Sequence, residues 1–112
     1  MAKTKAELIE RALMFLGVGE AGQPVEVEDR DAVDKVLGPL LAQLAASRIV
    51  YVPNVEQIDD RVFLPLARYL ANEAAPAFGR PYSEDERLAA ELALRRAVAS
   101  YTTFQPVKVR YF

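Results

Sequence analysis

Four stretches of this chain repeat their apolar residues at helical spacing, with glycines and prolines between them. That pattern confines the fold to a small helical domain. The first stretch opens at Thr4, a good N-cap, with Glu7 three positions on to close a capping box. Leu8, Ile9, Ala12, Leu13, Phe15 and Leu16 form one wide apolar face, and Gly17 stands where a helix-ending glycine belongs. After a loop rich in glycine and containing Pro24, a second helix is predicted from Glu28 or Asp29 to about Ala46. Val33, Val36, Leu37, Leu40, Leu41 and Leu44 mark its buried side. Gly38-Pro39 falls inside it, but the apolar spacing keeps phase across the proline, so a kink is expected rather than a break.

Residues 49–55 are apolar and contain Pro53, which suits a brief extended connection or an edge strand. Asp59 or Asp60 then caps a third helix with Val62, Phe63, Leu66, Tyr69, Leu70 and Ala74 facing inward, Pro65 falling early in it. Pro76, Gly79 and Pro81 end that helix. Ser83 opens a fourth, with Glu86 completing a second capping box and Leu88, Leu92, Leu94, Val98 and Tyr101 as its apolar positions. The predicted fold is all-α: a four-helix bundle-like single domain over residues 1–103, followed by an extended C-terminal tail over residues 104–112.

The tail differs in kind from the rest. Pro106 has no backbone donor and pushes Gln105 out of the helical region. Beyond it Val107, Val109 and Tyr111 alternate with Lys108, Arg110 and Phe112, the period of a strand, and the stretch contains no acid. A lone strand is unstable in water, and no other segment reads as its partner. Such a tail suits docking on another subunit, with Tyr111 and Phe112 as apolar anchors and Lys108 and Arg110 matching charge.

Composition removes several chemistries. With 112 residues there is room for one core. The chain has no cysteine and no histidine, so it lacks thiolate ligands, the commonest general base and the commonest metal ligand. A net charge of −2 gives no global attraction to nucleic acid. No cofactor or metal is expected. The N-terminal run enters an amphipathic segment rather than a long apolar one, so neither a signal peptide nor a membrane span is expected, and the expectation is a soluble protein made and kept in a cytoplasm.

Gly17-Val18-Gly19-Glu20-Ala21-Gly22 matches a dinucleotide-binding pattern in letters only. That chemistry needs a strand before the glycines and a helix N-terminus after them. Here a helix precedes, and Pro24 with a run of acids follows. The acids Glu26, Glu28, Asp29, Asp31 and Asp34, and the group Glu84-Asp85-Glu86, suggest a carboxylate pair for glycoside hydrolysis or a cation site. Both groups sit at predicted helix N-termini, where the dipole alone favours them, and their spacing is not that of a calcium loop. Arg95, Arg96, Lys108 and Arg110 make the final eighteen residues net positive, the feature on which a nucleic-acid-binding or regulatory module would rest.

Thr4-Lys5-Ala6-Glu7-Leu8-Ile9, then Ala12-Leu13 and Leu16-Gly17, resembles the opening of the head-to-tail connector proteins of tailed bacteriophages, also called adaptors or, in short-tailed phages, tail accessory or packaged-DNA stabilisation factors. Asp31-Ala32-Val33 resembles a step in that family's acid-rich second helix. The motifs cover residues 3–46; beyond them the likeness rests on helix order. The resemblance implies a structural virion protein and not an enzyme: a helical subunit that forms a ring, expected to be a dodecamer, beneath the portal at the head-tail junction. The ring would extend the DNA channel without sequence-specific contact and receive the tail or tail-hub protein. Residues Pro106, Val107, Lys108, Val109, Arg110, Tyr111 and Phe112 would then bind the portal, and Glu28, Asp29, Asp31 and Asp34 would face the channel. The free chain is expected to be monomeric or weakly associating. Short-tailed members run longer after the last helix, which points to a compact variant or to the related adaptor of long-tailed phages.

Overall fold

The computed structural model describes residues 2–18 and 26–104. Its elements are β1 (Ala2–Lys3), α1 (Lys5–Phe15), α2 (Val27–Ala46), β2 (Ile58–Asp59), α3 (Asp60–Ala74), a 3-10 turn (Ala75–Phe78) and α4 (Glu84–Phe104). The domain is mostly helical, as the periodicity predicts. Helix α3 is the hub: α1, α2 and α4 all pack on it, α1 also meets α2, and α4 packs chiefly on α3. Nine residues of α3 are buried, including Phe63, Leu66, Tyr69 and Leu70, which meet Leu8 and Leu13 of α1, Leu37 and Leu44 of α2 and Leu94 of α4 in one core. No helix among the described residues is long and apolar enough to cross a membrane.

Local chemistry sets the helix ends. At α1 the Thr4 backbone N–H donates to Glu7 Oε1 at 2.9 Å and the Glu7 N–H donates to Thr4 Oγ1 at 3.3 Å, so the first capping box is complete. Gly17, at φ 77°, ends α1 in a Schellman turn: the Val18 N–H donates to the Leu13 carbonyl at 2.9 Å and the Gly17 N–H to that of Met14 at 3.0 Å. Gly79, at φ 73°, ends the 3-10 turn in the same manner, with the Arg80 N–H on the Ala75 carbonyl at 3.0 Å. Asp59 is the N-cap of α3, its carboxylate accepting from the Arg61 N–H at 2.8 Å.

Several expectations need correction. Helix α2 begins at Val27, a residue or two earlier than predicted, though it continues through Pro39 over 20 residues without a break, as the phase of its apolar residues predicts. Lys35, whose carbonyl loses its partner to the proline ring, lies on the same exposed side as Pro39, so water can satisfy it. Phe15 is 41% exposed and belongs to no core face; the Arg68 guanidinium lies 5.3 Å from its ring centre. Leu88 and Leu92 are 52% and 48% exposed. Having essentially one partner helix, α4 buries a narrow stripe through Ala90 and Leu94. Of the two forms expected for residues 49–55, the edge strand is not formed and the segment is a connection, with Ile49 and Val50 buried. The strand pairing lies elsewhere: Ala2 and Lys3 run antiparallel to Asp59 and Ile58. Two-residue strands are too short to show a period in sequence. Helix α4 reaches Phe104, the first residue assigned to the tail; residues 105–112 lie outside the described residues.

Candidate functional site

The portal-binding tail expected at Pro106, Val107, Lys108, Val109, Arg110, Tyr111 and Phe112 lies wholly outside the described residues. The glycine-rich motif is described only as far as Val18, where α1 precedes it and Gly17 serves as a helix terminator.

Of the four acids expected to face a channel, all in the N-terminal part of α2, Glu28, Asp31 and Asp34 are exposed at three-residue spacing. Asp34 turns toward α1, where the Lys5 Nζ lies 3.3 Å from its carboxylate. Asp29 is half-buried. Beside them Arg30 reaches Glu10 of α1 at 2.9 Å, so part of the charge at this end of α2 fastens it to α1. Glu86, of the second acid group, stands exposed in the first turn of α4, and its N–H donates to Ser83 Oγ at 3.2 Å.

The second capping box is therefore half made. The Ser83 N–H, which Glu86 would have capped, donates to Asn72 Oδ1 at 3.0 Å, and Asn72 Nδ2 donates to the Ser83 carbonyl at 2.8 Å. Asn72 is the buried polar side chain of α3, and this two-point contact with backbone fixes where α4 starts. One turn earlier on α3, the hydroxyl of fully buried Tyr69 donates to Glu91 Oε2 at 3.0 Å. Arg87 bridges Glu91 and Glu84 on its own helix. Burial and the Glu91 carboxylate push the Tyr69 hydroxyl up to about 12. Hydrogen bonding from Arg87 holds the Glu84 carboxyl below its ordinary range, and the same contact raises the Arg87 guanidinium. Burial raises the Glu73 carboxyl nearby. The cluster's polar groups are spent on one another, which makes it a clamp between α3 and α4. Sequence reading missed it; the i, i+3 and i, i+4 spacing of Glu84, Arg87 and Glu91 was its one visible signal.

Two adjoining clefts flank the α3–α4 contact and share Arg68 and Glu86. The larger, about 400 Å³, is bordered by Phe15, Arg80 and Pro81; the smaller, about 180 Å³, by Leu64, Ala89 and Ala93. A third cleft of about 310 Å³ lies between Tyr51, Val52, Pro53, Val62 and Val98, near the C-terminal half of α4. No group of three or more acids among the described residues is arranged to hold a metal ion. Arg95 and Arg96 are exposed on α4, but Glu84 and Asp85 occupy the same helix about three turns earlier, so the face has mixed charge. Comparison with family models, curated proteins and solved structures finds no match to this chain.

Proposed function

We propose that this chain is a head-to-tail connector subunit of a tailed bacteriophage. Copies of it form a ring under the portal, and residues 106–112 dock on the portal. The ring carries the packaged DNA through its channel and receives the tail. The observation that carries this reading is the motif run from Thr4 to Gly17, followed by Asp31-Ala32-Val33. It is supported by an all-α domain whose last helix leads directly into an apolar, basic, strand-patterned segment. Exposed Glu28 and Asp31 suit a channel wall, because like charge lets DNA slide without adhering.

The test mixes the purified chain with the portal ring encoded in the same genome and measures the complex by native mass spectrometry and electron microscopy. The expected result is a portal whose mass grows by a whole ring of subunits set at one end. Deleting residues 105–112 is expected to abolish that complex while circular dichroism shows unchanged helicity. Replacing Lys108 and Arg110 is expected mainly to slow association and flatten its salt dependence. Full portal binding by the truncated chain would sink the assignment of the tail, and no complex at micromolar concentration would sink the connector reading.

A further inference from the structure

The outer face of α4 is covered by no other element among the described residues, and its residues have an internal order. Ala90 is buried against the core. At about 100° per residue, positions 88 and 92 point almost directly away from it. Leu88 and Leu92 are there, both half-exposed. Moving outward along the same face, the N-terminal side carries Asp85 and then Glu84, and the C-terminal side carries Arg95 and then Arg96, all exposed. The face is thus centred on position 90, with leucine matched to leucine and acid matched to base at equal distances on either side. Among the described residues Asp85, Arg95 and Arg96 have no ion pair, while Glu84 is held by Arg87.

We propose that this face binds a second copy of the chain, α4 against α4, antiparallel about a two-fold axis at the level of Ala90. That arrangement sets Leu88 beside Leu92 of the partner subunit. It brings Glu84 and Asp85 beside the partner subunit's Arg95 and Arg96, and the reverse contact forms at the other end. A parallel arrangement would stack acid on acid and base on base, so charge alone selects the antiparallel one. The contact spans residues 84–96, about 18 Å of helix at 1.5 Å per residue. It is smaller than a standard stable interface, so the pair exchanges rapidly and weakens with salt. The inference does not depend on the connector reading, because it concerns the free chain.

The experiment is sedimentation velocity on the full chain at 50 mM salt, from micromolar to millimolar concentration. The mass is expected to rise from one copy toward two, with the midpoint moving to several-fold higher concentration at 500 mM salt. Asp85→Arg alone, and Arg96→Asp alone, are each expected to stay monomeric. Mixed together, they are expected to restore a two-copy species containing one of each, because the swapped charges then meet their opposites. Leu92→Gln should weaken pairing without altering charge, and circular dichroism checks that every variant is folded. A single-copy mass at all concentrations would overturn the proposal. So would a dimer that Asp85→Arg leaves intact, or variants that fail to pair when mixed.

Discussion

Arg48 holds a backbone conformation that side chains with a Cβ usually avoid. Its φ is 58°, and it stands just past α2, where the Ile49 N–H donates to the Leu44 carbonyl and the Arg48 N–H to that of Ala45, both at 3.0 Å. This is the same Schellman turn that ends α1 at Gly17 and the 3-10 turn at Gly79. The left-handed conformation costs an L-residue about 1–2 kcal/mol, and glycine's extra unfolded-state entropy returns part of that. Arg48→Gly is therefore expected to stabilise the domain by about 0.5–1 kcal/mol, read as a higher denaturant midpoint with unchanged slope. Gly79→Ala is expected to do the opposite by about 1 kcal/mol. An added Cβ there would meet no atom within 4 Å, so backbone strain is the whole effect. The contrast explains what was legible at this scale. Gly17 and Gly79 announced their turns because glycine is the residue such turns select. Arg48 concealed an identical turn because its Schellman bonds are made by backbone groups.

Helix α4 shows why an element can be legible while its orientation is not. Its existence followed from Ser83, the acids after it and the long apolar run. Its phase did not, because alanines at 89, 90, 93 and 97 surround the leucines and allow several faces to look apolar. The number of partners decides: with α3 as its chief partner, α4 buries Ala90 and Leu94 and leaves Leu88 and Leu92 outside. Its placement is fixed by polar contacts that no periodicity reveals, the Asn72–Ser83 pair and the Tyr69–Glu91–Arg87 clamp. The clamp makes stability depend on alkaline pH. The Tyr69 proton is held up to about 12 in the folded chain and leaves near 10 when unfolded. Between those values the unfolded state binds fewer protons, so stability is full below pH 10 and falls as pH rises toward 12. Tyr69→Phe has no proton to lose at this position. Its urea midpoint is expected to be lower near neutral pH and to fall less steeply than the wild type from pH 10 to 12.

At the scale of the whole molecule, the two association surfaces argued above obey different symmetries. An α4–α4 pair is isologous and closes at two copies, whereas a ring needs a heterologous contact that repeats around an axis. One face cannot serve both, so ring growth under the portal must use surfaces other than the outer side of α4. The clefts shared by Arg68 and Glu86, with Leu64 and Phe15 at their margins, present apolar area on another side of the domain. The tail is a third, separate feature. It begins after Phe104, eight residues beyond Arg96, about 12 Å along the helix from the end of the pairing face. The two activities are therefore expected to separate by mutation. The chain lacking residues 105–112 should keep its concentration-dependent pairing and lose the portal complex. Asp85→Arg should lose pairing and still add a whole ring to the portal. Sedimentation of the free chains, beside native mass spectrometry of each with the portal ring, reads both outcomes on the same preparations. If Asp85→Arg also abolished the ring, the outer face of α4 would belong to the assembled connector, and the pair would have to be abandoned in favour of a repeating contact through that face.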